Sequence, residues 1–167
     1  FDALPEHERE FFVNCIPVLP ELRIAAGNWG EECSGFSQSL EAADLWIPLP
    51  KGVRSGQRAF VARINGHSMV PLVPAGSWCV FGPPPEGTRQ GKNLIVWHAS
   101  INDPEGLGQY TLKRWRSSKH VPSDETHETW EHNEILLEPL NPDYNEIRIS
   151  PEEADSVKAV AELMRVL

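Results

Sequence analysis

Ser68 and Lys113 are the residues whose types and settings best fit a shared reaction. Lys113 lies in the stretch Gln109–Arg116 (QYTLKRWR), which reads as a strand. Alternation sends Lys113 and Trp115 to one face and Arg114 and Arg116 to the other. The lysine therefore turns inward beside a tryptophan. A buried ammonium is costly and tends to shed its proton. Taking a lysine from its ordinary pKa of about 10.4 to about 7 needs roughly 4 kcal/mol of desolvation. Such a neutral lysine is a general base and can activate a serine hydroxyl. Ser68 is the candidate hydroxyl. It sits in the turn Asn65–Pro71 (NGHSMVP), two residues after Gly66 and straight after a strand. There the hydroxyl and neighbouring backbone N–H groups can be presented together. Read alone, these residues also have plainer accounts: a turn serine, and a lysine that snorkels to the surface. His67 adjoins Ser68 and points elsewhere, which disfavours a Ser–His pair between the two.

Two other groupings carry less. His127 and His132 are five residues apart, whereas a helical zinc site needs two histidines four apart on one face. Their surroundings read as a solvated loop, so no metal is assigned. Lys113, Arg114, Arg116 and Lys119 interleave with Trp115, a pattern that can grip single-stranded nucleic acid. Strand alternation leaves the arginines on a solvated face instead.

The elements that must position Ser68 and Lys113 are short. Ala59–Ile64 alternates as a strand leading into the Ser68 turn, and Ser77–Phe81 is the strand that follows. Asn93–His98 and Gln109–Arg116 read as a strand pair, and Glu134–Glu138 and Ile147–Ile149 flank the turn Asn141-Pro142-Asp143. Residues 1–12 suggest a helical turn, residues 13–27 extended chain, and residues 45–48 a short edge strand. At the C-terminus, Ser150-Pro151-Glu152-Glu153 has the form of a capping box. Val157, Val160, Ala161 and Met164 recur at helical spacing, so local pattern alone favours helix there. The same stretch is apolar on both parities and also suits a fully buried strand.

The 167 residues suit one domain, or one plus a short arm. Fifteen prolines and 12 glycines chop the chain and favour strands and turns over long helices. Fifteen Lys and Arg against 24 Asp and Glu give a net charge of -9, which argues against broad coating of nucleic acid or anionic membranes. No run of 18 apolar residues is present. Cys15, Cys33 and Cys79 fit neither a disulfide framework nor a zinc knuckle, and read as free thiols of a reducing cytoplasm. A start at Phe1 rather than Met reads as a fragment or a processed product.

Three segments in order carry a resemblance. Val61-Ala62-Arg63-Ile64-Asn65-Gly66-His67-Ser68-Met69-Val70-Pro71, with Val73-Pro74-Ala75-Gly76-Ser77 and Cys79-Val80-Phe81, resembles the serine box of the S24 peptidases, the LexA, phage-repressor and UmuD family. Tyr110-Thr111-Leu112-Lys113-Arg114 resembles the lysine strand of that family, and Leu137-Glu138-Pro139-Leu140-Asn141-Pro142-Asp143-Tyr144 the segment after it. Ala25-Ala26-Gly27 resembles its self-cleavage site. The likeness covers residues 13–167. Gly76-Ser77 stands where the family has a Gly-Asp turn, and residues 28–45 and 99–109 are long.

The resemblance implies a mainly β, LexA C-terminal-like fold of twisted, mostly antiparallel sheets and short strands, with little helix. It implies a final strand over residues 157–166, with a short helical turn near 151–155. It divides the chain into an N-terminal arm and cleavage-loop region (1–45) and a Ser–Lys peptidase-like domain (46–167). It implies a serine endopeptidase with Ser68 as nucleophile, Lys113 as base, backbone N–H groups of His67 and Ser68 as the oxyanion hole, and Ala26–Gly27 as the bond cut. A Ser–Lys dyad calls for no metal or other cofactor.

The function implied is an autoproteolytic regulatory domain, the dimerising C-terminal part of a LexA-like repressor or of a larger DNA-directed effector. It would serve a DNA-damage or phage-related response in the cytoplasm. Its partners would be its own cleavage loop, a second copy, a RecA filament as inducer, and a DNA-binding or effector domain outside this chain, with no membrane. A UmuD-like polymerase accessory protein is one alternative; a non-catalytic S24-like binding or dimerisation module is another. A type I signal peptidase shares the Ser–Lys chemistry, but the sequence shows neither its anchor nor its lipid-facing surface.

Overall fold

Short apolar runs bounded by proline and glycine pair edge to edge into one sheet. The computed structural model describes residues 1–20, 40–102, 109–118 and 134–167. Among these the strands are β1 (Cys15–Leu19), β2 (Leu45–Pro48), β3 (Phe60–Ile64), β4 (Ser77–Gly82), β5 (Asn93–Trp97), β6 (Tyr110–Ser118), β7 (Glu134–Glu138), β8 (Ile147–Ile149) and β9 (Lys158–Val166). Their order is β2-β1-β3-β4-β9-β5-β6-β7-β8. The mainly β expectation holds, with one continuous sheet in place of several. Every pairing is antiparallel except β1 with β3, where Val18 faces Val61 and Leu19 faces Ala62.

Among the described residues helix is short: the 3-10 segments Glu6–Glu8 and Pro151–Ser156, and helical backbone at Leu40 and Glu41. The capping-box reading at Ser150 is corrected. Its side chain makes no cap hydrogen bond, and Glu153 N instead donates to Ser150 O in a tight turn. The helical spacing of Val157 to Met164 is likewise overruled. Val157 caps the second 3-10 segment, and from Lys158 the chain is β9, wedged between β4 and β5 and partly rather than fully buried.

The sheet coils strongly. β3 and β6 are four strand steps apart, about 19 Å if the sheet were flat. The register shifts between Val80 and Phe81 against β9, and again between Ile95 and Val96. Such bulges bend and twist a strand. The sheet therefore buries residues on both faces. One cluster holds Ile16, Phe60, Val61, Phe81, Ile95 and Leu112. The second holds Leu94, Val96, Trp115, Leu137 and Ile149.

The link between β3 and β4 carries Ser68. Met69 and Val73 anchor it by burying their side chains in the first cluster. Its exit is the Gly76 turn, where Gly76 N donates to Ile64 O at 2.7 Å and φ is +81. Gly76, rather than Gly66, is the glycine here with left-handed backbone. Arg63 Nε closes the turn by donating to Gly76 O at 3.1 Å.

Candidate active site

Strand alternation in β6 follows the sequence reading. Thr111, Lys113 and Trp115 share a parity and are buried, while Arg116 is exposed and paired with Glu138 at 2.7 Å. Lys113 retains only 5 % of its exposure. It sits opposite Leu94 of β5, within a sheet that is apolar on either side.

The coil of the sheet lays the β3–β4 link against β6. Lys113 Nζ stands 2.9 Å from Ser68 Oγ, across 45 residues of chain. The same nitrogen lies 2.7 Å from Thr111 Oγ1 and 3.2 Å from Leu112 O. Burial penalises the ammonium form of such a lysine, and the three oxygens fix where its nitrogen points. Ser68 is half-buried and His67 beside it is exposed. The hydroxyl thus meets the lysine at the boundary between core and solvent, where a peptide could reach it.

A model of the Peptidase S24-like family matches residues 17–121, more than half of the chain. The chain belongs to the Peptidase S24-like family. Comparison with curated proteins gives no match. The matched span of this S24-like domain runs from β1 through β6 and contains both Ser68 and Lys113.

The segment after β7 completes the site. Leu140 N and Asn141 N both donate to Ser68 O, at 3.0 and 2.9 Å, and Asn141 Nδ2 donates to His67 O at 3.1 Å. The serine turn is therefore clamped from outside as well as anchored from beneath. Two further residues, Thr111 and Asn141, join the site. For Thr111 a signal existed: a hydroxyl two residues from Lys113 must share its face. For Asn141 the resemblance marks the stretch Leu137–Tyr144 but not the contact, whose partner is 74 residues away.

Ala26, Gly27, His127, His132, Lys119 and Cys33 lie outside the described residues. β1, which precedes Ala26, runs parallel to β3, which precedes Ser68. The chain thus leaves β1 at the end of the sheet from which the serine turn rises. Among the described residues, no helix is long and apolar enough to cross a membrane.

Proposed function

We propose that this S24-like domain is a serine endopeptidase that cuts its own chain at Ala26–Gly27, with Ser68 and Lys113 as its dyad. One observation carries the reading: a lysine buried to 5 % exposure with its nitrogen 2.9 Å from a half-buried serine hydroxyl. In the neutral amine, Thr111 Oγ1 and Leu112 O take the two N–H groups, and the lone pair is left for Ser68.

Lys113 then accepts the Ser68 proton as Oγ bonds to the Ala26 carbonyl carbon. Backbone N–H groups of His67 and Ser68 hold the oxygen that becomes negative. The Lys113 ammonium returns the proton to the Gly27 nitrogen as the peptide bond breaks. Water, deprotonated by the lysine, bonds to the Ala26 carbonyl carbon, and the lysine returns that proton to Ser68 Oγ as the ester bond breaks. Substrate and nucleophile belong to one chain, so the local concentration of the bond is set by loop closure. The parallel pairing of β1 with β3 favours this by sending the substrate stretch off at the serine end of the sheet.

In this reading the domain is the dimerising, regulatory part of a LexA-like repressor or larger DNA-directed effector. Its inducer is whatever holds the loop at the dyad, with a RecA filament as the one to try first. The test is the intact mass of the purified chain after incubation from pH 6 to 10, beside Ser68→Ala and Lys113→Ala. A break between Ala26 and Gly27 that speeds with pH and is absent from both variants is expected. No break at any pH, with or without the filament, would replace this reading with that of a binding or dimerisation module.

A further inference from the structure

Two successive carbonyls of the serine turn each receive two donors. His67 O accepts from Val70 N at 3.2 Å and from Asn141 Nδ2 at 3.1 Å. Ser68 O accepts from Leu140 N at 3.0 Å and from Asn141 N at 2.9 Å. Asn141 holds both, through its side chain and its backbone. The orientation of its amide is fixed independently, because Oδ1 accepts from Asp143 N at 3.0 Å. The donor end, Nδ2, must then be the end that faces His67.

The His67–Ser68 peptide is trans. Its C=O and its N–H therefore point to opposite sides within one plane. Whatever holds the His67 carbonyl also sets the direction of the Ser68 N–H. Among the described residues, that N–H donates no hydrogen bond.

We propose that Asn141 is a positioning residue for the Ser68 N–H: by holding the His67 carbonyl, its side-chain amide aims the backbone donor at the place where the oxyanion forms. This rests on the Ser–Lys reading above. Asn141 touches neither the bond that breaks nor the proton that moves; it acts through the peptide plane. The family match ends at residue 121, so Asn141 lies outside the span that identified the domain.

Asn141→Asp is the sharpest variant. It has the same shape, keeps the acceptor for Asp143 N and leaves the backbone donors to Ser68 O untouched. It replaces only the donor facing His67 O with an acceptor. Asn141→Leu removes the same donor without adding charge. Two quantities are read in both: the limiting rate of self-cleavage at alkaline pH, and the residual dipolar coupling of the residue-68 N–H. The coupling is measured in the Ser68→Ala background, where the chain stays whole.

Both variants should slow the limiting rate by about 10- to 100-fold, less than the roughly 10²- to 10³-fold that outright loss of an oxyanion donor costs. Both should change the residue-68 coupling while couplings in β3 and β4 stay as in the parent. A coupling unchanged in both variants overturns the proposal, and so does a changed coupling with a rate within twofold of the parent. If the parent cleaves at no pH, with or without the filament, the Ser–Lys reading fails, and the coupling still upholds or overturns the hold of Asn141 on the peptide plane.

Discussion

Thr111 Oγ1 lies 2.7 Å from Lys113 Nζ, two residues along the same buried face of β6. The pair is local in sequence, yet it aims the lysine at a serine that arrives from across the coiled sheet. Thr111→Val keeps the shape of the side chain and removes the acceptor. The base remains but is less well directed. Self-cleavage, followed by intact mass at its alkaline limit, should slow by about 10- to 100-fold, part of the roughly 10²- to 10⁴-fold that a positioned base supplies. A rate within twofold of the parent would show that Thr111 only fills space.

Lys113 holds a charge-bearing group in the core. Lys113→Met keeps an unbranched stem of similar volume and removes the desolvation burden. Cleavage should stop. The melting temperature should rise by about 2–4 °C, which corresponds to about 1 kcal/mol in a domain of this size. A lower melting temperature would mean that the contacts to Ser68, Thr111 and Leu112 outweigh the cost of burying the nitrogen.

Cys79 is fully buried in β4, and burial pushes its thiol up to about 12 from 9.0. Between these two values the folded chain keeps a proton that the unfolded chain has lost. Stability therefore falls as pH rises above about 9, by at most about 1.4 kcal/mol per pH unit. At pH 8 the thiolate fraction is on the order of 10⁻⁴. Iodoacetamide at pH 8 should leave Cys79 unmodified until denaturant is added. Melting temperatures measured at pH 8, 9 and 10 should decline over the last step, and self-cleavage rates at pH 10 need reading beside them.

Gly76 has φ of +81, and a methyl group added there would meet the Arg63 guanidinium at ordinary distances, Nη2 at 3.5 Å and Nε at 4.0 Å. Gly76→Ala is thus a test of backbone alone. It should cost about 1–2 kcal/mol and lower the melting temperature by about 2–8 °C. The serine turn that Gly76 closes should be displaced as well, so the cleavage rate should fall together with the melting temperature.

Strand positions were legible where alternation and turn residues agreed. Glu134–Glu138 and Ile147–Ile149 coincide with β7 and β8, and Ser77–Phe81 falls one residue short of β4. β9 was ambiguous for a physical reason. Its apolar residues fall on both parities although only Ala161 is buried, and Val157, Val160, Ala161 and Met164 then mimic helical spacing. The inward turn of Lys113 was readable from alternation alone. Its meeting with Ser68 came from the family resemblance and not from alternation, since it depends on the coil of a sheet whose register shifts at Val80 and Ile95. Nothing local marks such a shift. Asn141 was invisible as a site residue for the same reason: its hydrogen bonds join segments that only the coil brings together.

The placement of β1 bears on what a cut would achieve. β1 lies between β2 and β3, with Cys15, Ile16 and Val18 buried, and Phe12 ahead of it is buried too. A break at Ala26–Gly27 would fall after β1 and before β2. The front piece would keep its strand hydrogen-bonded on both edges, with about 1.5–3 kcal/mol of burial for each large apolar side chain. The product would be a split protein, two polypeptides folded as one body. Scission and dissociation then become separate events, the second governed by the rate at which one strand is drawn out of a sheet. Gel filtration of the cut chain should show both pieces eluting together in buffer and apart in urea. Early separation in buffer would mean that β1 is held by the covalent link alone.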